Sequence, residues 1–346
     1  MATIIKHVRV FDGNSFHQNK TILINDGIIA GIDSAIPSDA NVIDAAGCTL
    51  LPGLIDSHVH TKIPELEIAI KFGVTTELEM MGHQTPQQRQ EVSERNDIAD
   101  LRTAEFGMTA PGGHPYELYK RGPVRGSPPK PEHAQGGPPP HTHAGPPQGM
   151  QGTTHPRTAT TPSEARDFVA ARIADGADYI KIMIEEGSVL EEPGLPLLSQ
   201  ETIEAAVQAA HAGDKIAIAH ALTAKATEQA IGAGVDGLAH IFLDGPHTKD
   251  LVNAIAKAGT FVTPCICLNA SIMGHTGEEL AKDERVASKL PKQWLETLRS
   301  SFNTYPQGRL EDVLETVGAL HKAGVSLCFR ISVPSTACKF ALEKRC

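Results

Sequence analysis

The sequence predicts an α/β protein in which a (β/α)8 TIM-like barrel follows a small N-terminal β-sheet unit. Short strand-like segments fill residues 1–52, and strand and helix patterns alternate from residue 53 onward. Alternation of this kind indicates a parallel sheet, and about eight repeats indicate closure into a barrel. An open doubly wound sheet is the competing architecture, but no Gly-x-Gly-x-x-Gly follows a first strand.

The first predicted domain is the β-sheet unit of residues 1–52. Asp26-Gly27 lies between two apolar runs, which is a strong indication of a β-hairpin. The predicted strands are Thr3–Phe11, Lys20–Ile24, Ile28–Ile32, Asn41–Ile43 and Cys48–Leu51.

The second predicted domain is the barrel of residues 53–346. Its strands should be apolar segments separated by helices. The candidates are Leu54–Val59, Thr75–Met80, Ala104–Thr109, Tyr179–Ile184, Ile216–His220, Gly237–Phe242, Phe261–Leu268 and Val325–Phe329.

The helices of the barrel carry recognisable end signals. Thr161-Pro162-Ser163-Glu164 is a capping box that opens a helix to about Ala174. Ser199 is the predicted cap of a helix that runs to Ala212 and stops at Gly213. Further helices are predicted at Ala224–Ile231, Lys249–Ala258 and Glu311–Ala323.

An insertion rich in Pro, Gly and His interrupts the barrel at about residues 115–160. Such a composition buries little apolar surface, so a flexible loop is predicted, and its His141 and His143 are not assigned to the active site. The preceding segment, Thr109–His114, is expected to face a pocket, because loops at the carboxyl ends of barrel strands line substrate sites.

The composition predicts which kinds of partner the protein binds and in which compartment it lies. The net charge of −10 argues against binding to nucleic acid or to an anionic membrane. No apolar run approaches the roughly 18 residues of a membrane span. Six scattered cysteines fit a reducing, cytoplasmic location, and Cys265-x-Cys267 lacks zinc-knuckle spacing, so buried reduced thiols are expected there. A small-molecule substrate is expected, and a homo-oligomer remains open.

The most informative motif is His58-Val59-His60 at the end of the first barrel strand. Side chains at i and i+2 of a strand point to the same face, so the two imidazoles should project together. Most exposed histidines bind nothing, but this pair closes a Pro52-Gly53 turn and an apolar strand. Because imidazole is the commonest protein ligand for zinc, His58 and His60 are candidate metal ligands.

Three further polar residues lie on later strands. Lys181 lies inside the apolar segment Tyr179–Ile184, either as an edge-strand lysine that reaches water or as a buried neutral amine. A neutral amine could react with carbon dioxide to give an anionic carbamate that bridges two cations. His220 and His240 each end a strand, and each alone would more often be a hydrogen-bonded core residue. Together all of them should meet at one mouth of the barrel.

These motifs resemble the amidohydrolase superfamily of metal-dependent hydrolases, above all its imidazolonepropionase and metal-dependent prolidase branch. The resemblance covers roughly residues 3 to 325 and is carried by Val8–Gly13, Ile43–Cys48 and Pro52–His60. It implies a hydrolase of non-peptide or dipeptide-like C–N bonds, in amides or cyclic amides, that uses water activated by two divalent metals, two zinc ions or alternatively manganese.

The resemblance also assigns residues. His58 and His60 would hold one metal, His220 and His240 the second, and carboxylated Lys181 would bridge them. Lys181 and His220 are the residues expected to act in catalysis as well as in metal binding. Four other residues are candidates for the pocket lining and have no assigned role, namely His83, His114, Glu185 and Glu186.

One residue of the family pattern is missing. The family has a metal-binding, proton-shuttling aspartate at the end of the eighth strand, but no aspartate follows Asp312 here. We therefore expect a barrel incomplete at strand 8, with a truncated or misread C-terminus. The alternative function is a catalytically impaired metal- or ligand-binding barrel, since acid–base groups typically contribute about 10²–10⁴-fold. A decarboxylase or isomerase is a smaller alternative.

Overall fold

A computed structural model describes residues 2–34, 37–117 and 158–328. By its internal contacts the chain divides into two compact units, Met1–Leu54 and Ile55–Cys346. Most of the predicted insertion, with His141 and His143, lies outside the described residues, and so does the tail after Cys328. Among the residues described, no helix is long and apolar enough to cross a membrane.

The first unit is a five-stranded sheet in which β3, β2, β1 and β4 follow one another and β5 also pairs with β1. The β2–β3 hairpin confirms the turn predicted at Asp26-Gly27, where both residues have positive φ, +50° and +77°. Ile4, Val8 and Ile22 are buried. The strands are β1 (Thr3–Phe11), β2 (Phe16–Asn25), β3 (Ile28–Ile32), β4 (Asn41–Asp44) and β5 (Thr49–Leu50).

The second unit begins with a three-stranded sheet in the order β6-β7-β8. The prediction of a strand at Ala104–Thr109 was wrong, because the strand observed here is the earlier β8. In β8 the buried residues Leu101 and Thr103 alternate with Asp100 and Arg102, a pattern that gives little apolar signal in the sequence. Helices α1 (Ile63–Ile70) and α2 (Pro86–Glu94) connect the strands β6 (Leu54–Val59), β7 (Val74–Glu79) and β8 (Asp100–Thr103).

A second sheet of four parallel strands follows, in the order β12-β11-β10-β9. Its strands are β9 (Ile180–Ile184), β10 (Ala217–Ala221), β11 (Gly237–Ala239) and β12 (Phe261–Thr263). The helices of this part are α3 (Pro162–Ala174), α4 (Gln200–Ala212), α5 (Ala224–Gly232), α6 (Lys249–Ala258), α7 (Ile266–Ile272), α8 (Glu278–Lys282), α9 (Glu284–Ala287), α10 (Lys292–Leu298) and α11 (Leu310–Lys322).

The predicted helix starts are confirmed at α3 and α4. The hydroxyl of Thr161 accepts a hydrogen bond from the N–H of Glu164 at 3.3 Å, and Ser199 accepts one from the N–H of Thr202 at 3.2 Å. The predicted strand Phe261–Leu268 is only half right, because it ends at Thr263 and α7 begins at Ile266. A short apolar run does not distinguish a strand from a helix.

Two isolated parallel bridges extend these sheets. Met108 pairs with Ile182 of β9, and Leu327 pairs with Val262 of β12. The start of the predicted eighth strand thus lies beside β12. Parallel strands alternating with helices confirm the α/β class.

Alternation along the strands decides which residues face the site. Ile180, Ile182 and Ile184 of β9 join the largest apolar cluster, which packs the sheet against its helices. Because successive strand side chains point to opposite faces, Lys181 points away from those helices. The same alternation in β10 turns His220 away from the helices and buries Ala219 against them.

Candidate metal centre

Histidines from several strand ends form a continuous series of five imidazole rings, which we call the histidine series. The ring centroids are separated by 5.4 Å (His60–His58), 4.6 Å (His58–His240), 4.6 Å (His240–His220) and 4.7 Å (His220–His114). The structure therefore brings together the four histidines singled out as metal ligands.

The His58–His60 pair at the end of β6 is asymmetric. His58 is buried, and its backbone N–H donates to the carboxylate of Asp56 at 3.2 Å, which fixes the strand end. The His60 side chain is 47% exposed, and its Nδ1 lies 3.5 Å from Oε1 of Glu79. The rings stand nearly perpendicular, at 86°. One imidazole is thus held inside the protein and the other opens to solvent.

His240 reaches the series through an unusual backbone conformation. It follows β11, where continued alternation would place it on the helix-facing side with Leu238. Its φ of +81° breaks that alternation, and its ring contacts both His58 and His220. A histidine in this sparsely populated region indicates that its orientation matters.

Lys181 lies in the interior of the sheet. It is 2% exposed, its strand pairs with β10, and its carbonyl accepts a hydrogen bond from the N–H of Met108 at 2.8 Å. The interpretation as an edge-strand lysine is therefore wrong. Its charge acts on both Glu79 and His220, so the amine lies within electrostatic range of the histidine series.

Two buried carboxylates adjoin the series. Burial raises the pKa of Glu79 to about 8, although hydrogen bonds from Met81 and Thr103 and the charge of Lys181 oppose this. Burial also raises the pKa of Glu185, whose Oε2 lies 3.2 Å from Nε2 of His220. Sequence reasoning named Glu185 but missed Glu79, because Glu79 ends a strand of mixed polarity and only tertiary packing buries it.

Protonation of His220 is suppressed in this environment. Burial lowers its pKa well below the usual value, and the charges of His114 and Lys181 add to the effect. A neutral imidazole is the form that binds a metal. His220 is thus held in its ligand form.

The segment Thr109–His114 adjoins the site through its last residue, His114. His114 contacts the ring of His220, and its Nδ1 lies 2.5 Å from Oε1 of the buried Glu117. Gly112 and Glu117 also line a cavity of about 330 Å³ together with residues 192–196. The other two pocket candidates have different partners, since His83 pairs with Glu105 and Glu186 with Ser188.

A thiol joins the histidines. The ligand atoms of His58, His240 and Cys265 all lie within 4.8 Å of one another, and the three residues are buried. Sequence reasoning had treated Cys265 as an ordinary buried thiol, since no spacing links it to histidines on other strands. Imidazole and thiolate are donors that zinc prefers, so the residues present fit a divalent transition metal.

The sequence is similar to known proteins. The model of the amidohydrolase family matches residues 49–328. The dihydroorotase of Caldanaerobacter subterraneus subsp. tengcongensis is 48% identical over 68 residues, a stretch that spans 19% of this chain and only 16% of that protein.

Solved structures share the fold. A Xaa-Pro dipeptidase with bound methionine in its active site has a TM-score of 0.65 at 22% identity, over 97% of this chain and 80% of the other. A. niger ochratoxinase has a TM-score of 0.62 at 19% identity, over 97% and 76%. The family match takes in Lys181 and the whole histidine series, and by its extent this chain belongs to the amidohydrolase family.

Proposed function

We propose that the chain is a metal-dependent hydrolase that cleaves a C–N bond, in an amide or cyclic amide, of a small molecule. The observation that carries the proposal is the contact of four histidines from three strand ends in the electrostatic range of buried Lys181. Membership of the amidohydrolase family supports it. Part of this proposal is that the two parallel sheets close into a (β/α)8 barrel.

The proposed ligands are those of the family pattern. His58 and His60 would hold one divalent ion, His220 and His240 a second, and a carbamate on Lys181 would bridge them. We propose zinc, with manganese as the alternative. When bound, such ions lower the pKa of water towards neutrality and polarise a carbonyl group.

Carboxylate side chains orient the histidines of the site, and a cavity gives a substrate access. Glu185 orients the imidazole of His220 across 3.2 Å, and Glu117 holds His114 beside it. The cavity next to Gly112 and Glu117 offers room for a small substrate. A cytoplasmic location is part of the proposal, because Cys265 and the other cysteines described are free thiols.

The alternative is a metal- or ligand-binding barrel with little turnover. The sequence that follows the start of the predicted eighth barrel strand favours this alternative, because Phe329–Ser332 contains no carboxylate that could shuttle a proton. General acid–base groups typically contribute about 10²–10⁴-fold, so turnover without one would be slow.

The test is a hydrolysis screen of N-acyl amino acids, dipeptides and lactams with added zinc or manganese. We expect turnover by the wild type and a loss of at least about 10²-fold in Lys181→Ala, the lower end of the effect of acid–base groups. The exposed helix variant Lys225→Ala is the matched control and should match the wild type.

Metal analysis of the same samples separates the two functions. Two metals per chain with hydrolysis supports the hydrolase, whereas metal without turnover supports the binding barrel. Equal activity of Lys181→Ala and the wild type would refute the carbamate bridge.

A further inference from the structure

Cys265 is a potential metal ligand beside the proposed centre, and the family pattern does not name it. It lies between β12 and α7 and is 3% exposed. Its sulfur lies within 4.8 Å of ligand nitrogens of His58 and His240, themselves 2% and 3% exposed. By contrast, His60 is half exposed and does not belong to this group.

The backbone of Cys265 is held in a rare conformation. Its φ of +50° and ψ of +44° lie in the left-handed region, which is unfavourable for a residue with a Cβ. The first turn of α7 holds Cys265 in this conformation, because the carbonyl of Cys265 accepts hydrogen bonds from the N–H groups of Leu268, at 2.9 Å, and Asn269, at 3.2 Å. In this conformation the sulfur of Cys265 lies within 4.8 Å of a ligand nitrogen of each histidine.

Hydrogen bonds also tie together the segments that present these side chains. The N–H of His240 donates to the carbonyl of Thr263 at 2.9 Å, and Nδ2 of Asn269 donates to the carbonyl of Ile241 at 3.0 Å. The hydroxyls of Thr263 and Ser57 lie 3.3 Å apart, one residue before His58. The three ligand atoms are therefore set by one connected scaffold.

We propose that Cys265 is a thiolate ligand that completes, with His58 and His240, a three-ligand site for zinc. This inference rests on the metal centre proposed above and changes its ligand assignment, because His58 and His240 would then hold the same ion. On binding, the S–H bond breaks, a sulfur–metal bond forms and the proton leaves to solvent. Three protein ligands leave the fourth position of a tetrahedral zinc open, as catalytic zinc sites require.

The competing explanation is that Cys265 is a small apolar residue of the core, the usual role of a buried cysteine. Cys267 provides the matched control. It lies two residues further on, in α7, is also partly buried, and is outside the group of potential ligands.

The experiment adds cobalt(II) to metal-free full-length protein and records uptake and absorption. We expect cobalt uptake with a near-ultraviolet thiolate-to-cobalt band in the wild type and in Cys267→Ser. In Cys265→Ser the band should disappear, and zinc affinity should fall by more than about tenfold, the least that changes around a metal site typically cost. Circular dichroism checks folding.

The outcomes separate the two proposals. Cobalt bound by the wild type without the charge-transfer band, or a band that persists in Cys265→Ser, overturns the thiolate ligand and leaves the metal centre standing. No cobalt uptake by the wild type overturns both.

A second measurement covers the case in which Cys265→Ser fails to fold. Zinc X-ray absorption of a variant that keeps Cys265 and replaces the other five cysteines by serine should show one sulfur at about 2.3 Å. A zinc shell of nitrogen and oxygen alone would overturn the inference.

Discussion

Two groups of histidines and acids lie after strands of the second unit, and they differ in whether imidazole rings contact one another. In the histidine series, imidazole meets imidazole, with centroids 4.6 Å apart at His58–His240 and at His240–His220. In the other group, Nδ1 of His83 lies 2.5 Å from Oε2 of Glu105, whose other oxygen accepts the N–H of Gln84.

The difference indicates what each group does. An acid and a base that contact each other satisfy their polar groups within the protein. A structural role therefore accounts for the His83–Glu105 pair. Neighbouring imidazoles gain little from one another, but several neutral imidazoles bind one cation well. Contact between neighbouring imidazoles therefore points to a ligand, even where a carboxylate adjoins the ring, as at His220. The acid–base pair of His83 and Glu105 points to stability.

The largest effect on metal binding is expected when the central ring of the series is removed. His240→Ala should lower zinc affinity by more than about 100-fold, beyond the range typical of outer-shell changes, because His240 contacts both His58 and His220. His83→Ala is the matched control and should bind zinc as the wild type does. A competition titration measures both, and equal losses would erase the distinction.

Glu77 provides a third case, a buried acid whose charged neighbours are other acids. Burial raises the pKa of Glu77 from an ordinary 4.5 to about 7, and the charge of Asp56 adds to this. The folded state thus holds the proton more tightly than the unfolded chain, so stability should fall as pH rises from about 4.5 to about 7. The loss should reach about 3 kcal/mol at most.

Urea unfolding across that range checks the effect. Glu77→Gln removes the titrating group, so its stability should fall less steeply with pH than that of the wild type. Parallel curves for the two proteins would show that Glu77 does not carry the dependence.

The smallest effect is expected at the acid–base pair. Glu105→Ala removes a fully buried partner of His83 and Gln84 and should destabilise the fold by about 2 kcal/mol, since bonds to charged groups contribute about 1.5–3 kcal/mol. Zinc content should stay unchanged. Glu228→Ala on the exposed face of α5 is the control, and reduced zinc in Glu105→Ala alone would make the pair part of the site.

Strand periodicity made much of the site predictable. Apolar segments located β6, β9 and β10 closely, and they gave the start of β11, although the predicted Gly237–Phe242 runs past its end at Ala239. Parallel strands gather their carboxyl ends at one edge. His58, His220 and His240 were therefore expected together, although their role as metal ligands stays a prediction. The edge-strand interpretation of Lys181 failed only because pairing on both sides is invisible in one sequence.

What escaped prediction lies where the backbone departs from regular structure. Cys265 was placed inside a strand because Phe261–Leu268 is apolar throughout, whereas a left-handed turn at Cys265 ends the strand. Glu79 looked like any strand residue until tertiary packing buried it. Neither a single residue with positive φ nor a contact between distant strands leaves a periodic pattern in the sequence.

The hydrogen bonds that join His240 to Thr263 and Asn269 to Ile241 have a further consequence. Neither hydrogen bond uses a metal-ligating atom, so contacts of the protein itself restrain the segments that carry the ligands. Ion capture should then leave the backbone almost unchanged. It would raise the melting temperature only through mass action, in proportion to the logarithm of free metal at high occupancy.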